Sequence, residues 1–111
     1  RLVMADENIH YHAPTDYGET LRNFKKNHME LLTRKTTLII VGDARSNYMN
    51  PEDTILGQMR DRCRRVIWLN PEPENLWGTG DSEMMTYATH CHEVRACRNV
   101  NQLISFIEEL V

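Results

Sequence analysis

The sequence predicts an α/β fold in three layers, a doubly wound and mainly parallel sheet with helices on both faces. Two apolar runs rich in β-branched residues, 36–43 and 66–69, lack the alternation of a half-solvated strand and read as strands buried on both faces. Segments with helical spacing precede and follow them, giving the order α-β-α-β-α-β-α. Strands alternating with helices of about 10–16 residues call for right-handed crossovers and parallel pairing.

The first helix is expected over 16–32, where Tyr17, Leu21, Phe24, His28, Leu31 and Leu32 keep helical spacing and Asp16 with Glu19 forms a capping-box pair. The strand at 36–43 should lie centrally in the sheet. Asn50-Pro51 then reads as an N-cap followed by Pro at the first helical position, and Ile55, Met59 and Cys63 form the stripe of a second helix. The strand at 66–69 stops at Asn70-Pro71-Glu72-Pro73, because proline lacks a ladder donor. After a loop through Gly78 and Gly80, Ser82 can cap a third helix carrying Met84, Met85, Ala88 and Cys91. Residues 93–97 alternate polar and apolar, as an edge strand does. Asn99 with Gln102 starts a fourth helix, whose stripe is Val100, Leu103, Ile104, Ile107 and Leu110.

Composition narrows the function classes. The 111 residues hold 13 Lys+Arg against 16 Asp+Glu, a formal charge of −3 that argues against phosphate-backbone binding and so against a nucleic-acid partner. The longest apolar run, 38–41, is far short of the roughly 20 residues of a membrane span. Cys63, Cys91 and Cys97 are odd in number and lack CxxC spacing, which disfavours a disulfide framework and fits a reducing cytoplasm. The chain opens on Arg1 rather than Met, and Arg1-Leu2-Val3-Met4 runs directly into structure, which reads as a chain cut out of something longer.

In doubly wound sheets ligands gather beyond the carboxyl ends of the strands. That rule selects residues 42–47, Asn70-Pro71, Arg98-Asn99 and the loop 12–16 that enters the first helix. Asp43 stands out, since a carboxylate directly after a buried strand suits metal or phosphate chemistry, although a turn-forming Asp is equally compatible with the pattern.

The segment Leu38-Ile39-Ile40-Val41-Gly42-Asp43-Ala44-Arg45, the helix ending Arg62-Cys63-Arg64-Arg65, and Val66-Ile67-Trp68-Leu69-Asn70-Pro71-Glu72-Pro73 resemble the C-terminal part of CoxE-like von Willebrand factor A (VWA) domains. The likeness runs from about Thr15 to Val111, and Trp-Leu-Asn-Pro is its most specific element. It implies a Rossmann-like VWA fold, truncated at the N-terminus, over residues 1–111. It also implies a metal-ion-dependent adhesion site for magnesium, or manganese, in which Thr15 would be the threonine and Asp43 the aspartate. A hard cation takes oxygen ligands from separate loops and keeps waters, so a partner's carboxylate can complete its shell. The family's Asp-x-Ser-x-Ser motif is absent, and its Ser-Asp-Gly reads Gly42-Asp43-Ala44 here. The role implied is that of a bacterial, cytoplasmic protein-interaction module working with a MoxR-type AAA+ ATPase in metalloenzyme maturation.

Two other classes stay open: a small α/β metal-dependent hydrolase or phosphotransfer enzyme using Asp43, and a degenerate scaffold without metal. His10-x-His12 and His90-Cys91-His92, with Cys97 nearby, have zinc-compatible chemistry but no finger or ribbon spacing, and His90 and His92, ahead of the edge strand, read more simply as polar loop residues. The loop 78–82 has the glycines of a phosphate-binding turn without a Walker-type Gly-Lys-Ser/Thr, and reads as a flexible loop with a helix cap. Cys63 reads as a packed hydrophobe, the six methionines and Trp68 as core, and Trp77 as either a partner contact or a plug over the sheet end. Arg60, Arg62, Arg64 and Arg65 read as a solvated face. Truncation would leave the central strand with an open edge, so self-association is expected unless Leu2, Val3 and Met4 fold back over it.

Overall fold

The computed structural model describes Leu2–Met4, Ile9–His10 and residues 16–110. Its strands are β1 (Leu2–Met4), β2 (Ile9–His10), β3 (Thr37–Val41), β4 (Arg65–Asn70) and β5 (Glu93–Ala96). The helices are α1 (Tyr17–Asn27), α2 (Asp53–Arg62), α3 (Met84–Ala88) and α4 (Val100–Leu110), with 3-10 turns at Met29–Leu31 and Glu74–Leu76. The sheet runs β2-β1-β3-β4-β5, and β3, β4 and β5 are parallel, as the uninterrupted apolar runs of β3 and β4 and the helical crossovers predict.

Alternation along β3 divides the core. Leu38 and Ile40 face α1, α2 and α3, together with Val66, Trp68, Leu21, Phe24, Leu56 and Met59. Ile39 faces the other way, with Ile67, Leu69 and Phe106 of α4. These are the two helical layers of the expected three. The strand at 93–96 does lie at the sheet edge.

Several local expectations are corrected. The first helix ends at Asn27: the His28 N–H still bonds the Phe24 carbonyl, but His28 has left helical geometry and a tighter turn carries Met29 and Leu31. The second begins at Asp53 rather than Pro51, because the Asn50 side chain accepts the Glu52 N–H and Glu52 adopts a left-handed backbone. The third is five residues long, since after Ala88 the His90 and Cys91 N–H groups bond three residues back and the helix does not propagate. Ser82 splits its oxygen between the N–H groups of Gly78 and Met84. Two methionines are not core, with Met49 50% and Met85 61% exposed. On α4 the inward residues are Leu103, Phe106 and Leu110, whereas Val100, Ile104 and Ile107 face solvent.

The open-edge expectation also changes. β1 pairs antiparallel with β3, Leu2 opposite Ile40 and Met4 opposite Leu38, so the edge of β3 is occupied. Self-association along that edge loses its premise, because the ladder groups it needed are already paired.

Candidate functional site at the carboxyl end of β3

Strand β3 delivers Asp43 to the carboxyl end of the sheet, where the Gly42 N–H bonds the Leu69 carbonyl and the Trp68 indole N–H donates to the Gly42 carbonyl at 2.8 Å. Asn70, fully buried at the end of β4, donates its amide to the Asp43 carbonyl at 3.3 Å and accepts the Glu72 N–H at 2.8 Å. The backbone under the carboxylate is therefore held by three consecutive residues at the end of β4, Trp68, Leu69 and Asn70.

The carboxylate itself is half-buried and engaged on one oxygen. Oδ1 accepts the Arg45 N–H at 2.9 Å and the Tyr17 hydroxyl at 3.2 Å. Burial, and next the negative charge of Asp43, push the Tyr17 phenol above its ordinary pKa, so it remains a donor. Among the described residues Oδ2 accepts no hydrogen bond.

Tyr17 opens α1, which Asp16 caps by accepting the Glu19 N–H at 3.1 Å. One residue further, a Cβ at Gly18 would stand 2.1 Å from the Asn50 carbonyl oxygen, so only glycine lets the loop 43–52 lie against the helix. Thr15, the other expected ligand, and His12 lie outside the described residues.

Arg45 ties the surrounding loops together. Its guanidinium meets both Glu72 oxygens, at 3.0 and 3.3 Å, and Asp81 at 3.2 Å, and it also donates to the Thr79 carbonyl. Asp81 takes the Asn47 N–H at 2.9 Å on its other oxygen, and that bond, ahead of Arg45, holds its carboxyl below the usual range. The loop 78–82, expected to be flexible, is thus fastened to the Asp43 loop. Trp77 is the plug of the two readings: it packs on the core and donates its indole N–H to the Glu72 carbonyl at 2.9 Å.

A family model described as a VWA domain containing CoxE-like protein matches residues 3–106. The chain belongs to the CoxE-like VWA family. The match includes β1 and β2, so the likeness extends upstream of Thr15, where the motifs alone had ended it. No curated protein and no solved structure matches the chain. As a VWA domain it has the Rossmann-like α/β fold and is an interaction module of that general type. Among the described residues no helix is long and apolar enough to cross a membrane.

The carboxyl end of β3 supplies one carboxylate oxygen that accepts no hydrogen bond among the described residues, and among those residues no three His, Cys, Asp or Glu side chains converge. These residues alone do not make a magnesium shell. Of the zinc-compatible residues, His90 and His92 are separately engaged: His90 meets Asp53 at 2.9 Å, and His92 Nδ1 accepts the Val66 N–H at 3.0 Å. Cys63 is buried, and burial pushes the Cys91 thiol up to about 12, which makes it inert as a thiolate.

The sequence pattern selects Asp43 and places Arg45 in the same loop, 42–47, without its clamping role, and it does not mark Tyr17 or Asp81. Tyr17 falls on the apolar stripe of α1, and a ring that packs gives no sign of where its hydroxyl ends. Arg45, two residues after the carboxylate, was a legible cue for a charged clamp.

Proposed function

We propose that this VWA chain recognises a protein partner at the carboxyl end of β3, through a divalent cation held by Asp43 and Thr15 and completed by a carboxylate of the partner. The observation that supports it is the half-occupied Asp43 carboxylate: one oxygen is fixed by two donors, and the other accepts no hydrogen bond among the described residues. Magnesium binds through one or two carboxylates and retains waters, and manganese shares that oxygen preference, so a sparse protein shell leaves room for a ligand from outside. The partner fitting the family is a MoxR-type AAA+ ATPase in a bacterial cytoplasm, with metalloenzyme maturation as the shared task.

A metal-free scaffold is the second reading. The absence of a converging acidic cluster among the described residues favours it.

Capture of the purified MoxR-type ATPase of the same organism by the immobilised intact protein separates the two. With magnesium bridging, EDTA, Asp43→Ala and Thr15→Ala each weaken capture about tenfold or more. Capture that persists through all three leaves the scaffold reading and ends the metal bridge.

A further inference from the structure

Gly42 is a glycine that its own backbone does not require. The positive-φ glycines among the described residues are Gly78 and Gly80, and Gly42 is not one of them. What requires it is a side chain from another element: a Cβ at position 42 would lie 2.2 Å from the Tyr17 hydroxyl oxygen, 3.0 Å from Cζ and 3.1 Å from Cε1. Neither partner can withdraw. The Trp68 indole and the Leu69 carbonyl, both from β4, fix the Gly42 backbone at its carbonyl and at its N–H. The Tyr17 ring, 7% exposed, is packed with Trp68 at 5.7 Å and Tyr87 at 6.2 Å between centroids, and those two rings stack at 4.9 Å. The hydroxyl therefore occupies the volume of a missing side chain, and from there it reaches Asp43 Oδ1.

We infer that Tyr17 is a positioning residue for Asp43, admitted by Gly42, and that by holding Oδ1 together with the Arg45 N–H it makes Asp43 bind whatever docks there through Oδ2 alone. A carboxylate with one oxygen already taken by two donors is a poor match for the two-pronged fork of a guanidinium, which needs both oxygens. It suits an end-on ligand such as a hydrated divalent cation. The choice of cation rests on the proposed function; the Tyr17–Gly42–Asp43 contact does not.

Two measurements on the intact protein test this. Urea unfolding of Gly42→Ala, made in the natural background and in Tyr17→Val, reads the steric pair. The loss in midpoint should be large in the first and should shrink markedly in the second, and equal losses would overturn the role of Gly42. In the same experiment Tyr17→Phe and Asp43→Ala should be non-additive, which reads the hydroxyl–carboxylate contact with no metal present; strict additivity overturns the positioning.

Mn2+ titration followed by water-proton relaxation then reads the consequence. Tyr17→Phe keeps the ring and should weaken Mn2+ binding about tenfold or more, as loss of a group that orients a ligand does, while Asp43→Ala should remove it. Natural affinity in Tyr17→Phe overturns the positioning even where Asp43 proves to be a ligand. Equal Mn2+ binding by the natural protein and Asp43→Ala sinks the cation reading instead, and non-additivity in urea would still sustain the contact.

Discussion

Ala44 and Tyr48 share a left-handed backbone, with φ of 61° and 60°, and differ in what their side chains bury: Ala44 is fully enclosed, whereas Tyr48 is 80% exposed. Left-handed geometry costs an L-residue about 1–2 kcal/mol, and glycine escapes it while giving up about 0.5–1 kcal/mol of chain entropy. At position 48 no buried surface is lost, so Tyr48→Gly should raise stability by about 0.5–1 kcal/mol. At position 44 the methyl belongs to the core, worth about 0.8 kcal/mol, so Ala44→Gly should come out near zero. Urea midpoints of the two variants check both, and a destabilised Tyr48→Gly would show that the exposed ring makes a contact that matters. The family's glycine at position 44 thereby gains a reason, since the turn after the aspartate is left-handed. All the positive-φ residues other than glycine in the described chain fall within 44–52, beside the Asp43 carboxylate. Strain gathered in one loop persists because neighbouring contacts hold it, here through Arg45, Asp81 and the Asn47 N–H.

At the scale of elements, α4 shows where patterning informs and where it misleads. Its apolar residues are so many that two faces compete on the helical wheel, and the sheet chooses between them: Phe106, 5% exposed, closes over Ile39, Ile67 and Leu69, with the Arg95 guanidinium 4.4 Å above its ring. Phe106→Ala should therefore cost about 3 kcal/mol, the lower end for phenylalanine because the site lies near the surface. Ile104→Lys, at a position 49% exposed, should change stability by less than about 0.5 kcal/mol. Denaturant unfolding decides, and a large loss in Ile104→Lys would mean that the face read as inward from the spacing is in use. Strands β3 and β4 were legible because buried parallel strands write their burial as unbroken β-branched runs. Strands β1 and β2, three and two residues long, carry no period, and β1 owes its place to pairing with β3, some 35 positions away in sequence, which no local pattern encodes. The site divides the same way. Asp43 follows from its position after a strand, while the Tyr17 hydroxyl and the Asp81 clamp are brought to it by packing between distant elements.

Across the whole molecule, charge is unevenly distributed. Residues 25–35 and 60–65 hold Lys25, Lys26, Arg34, Lys35, Arg60, Arg62, Arg64 and Arg65, eight of the 13 cations, against two acids, Glu30 and Asp61. They gather at the amino ends of β3 and β4, opposite Asp43, where cations complement the carboxyl ends of α1 and α2. His92 stands at this pole and depends on being neutral, since its ring Nδ1 accepts the Val66 N–H at 3.0 Å; the His92 backbone N–H separately bonds the Val66 carbonyl at 2.8 Å and keeps the ring in register. Desolvation first, then Arg60 and Arg65, hold the imidazole below its ordinary pKa. The unfolded chain, with a value of about 6.5, thus takes up the proton before the folded one does. Stability tied to neutral His92 is complete above that pH and is lost as pH falls from there through the folded value. The unfolding temperature should therefore drop between about pH 7 and pH 5 in the natural protein and drop less in His92→Gln, whose amide titrates over none of this range. Salt at about 0.5 M shortens the reach of Arg60 and Arg65 but leaves desolvation untouched, so it should narrow the difference between the two proteins without closing it. Equal pH slopes in both, at low and high salt, would remove His92 from the account and leave the basic pole without influence on stability.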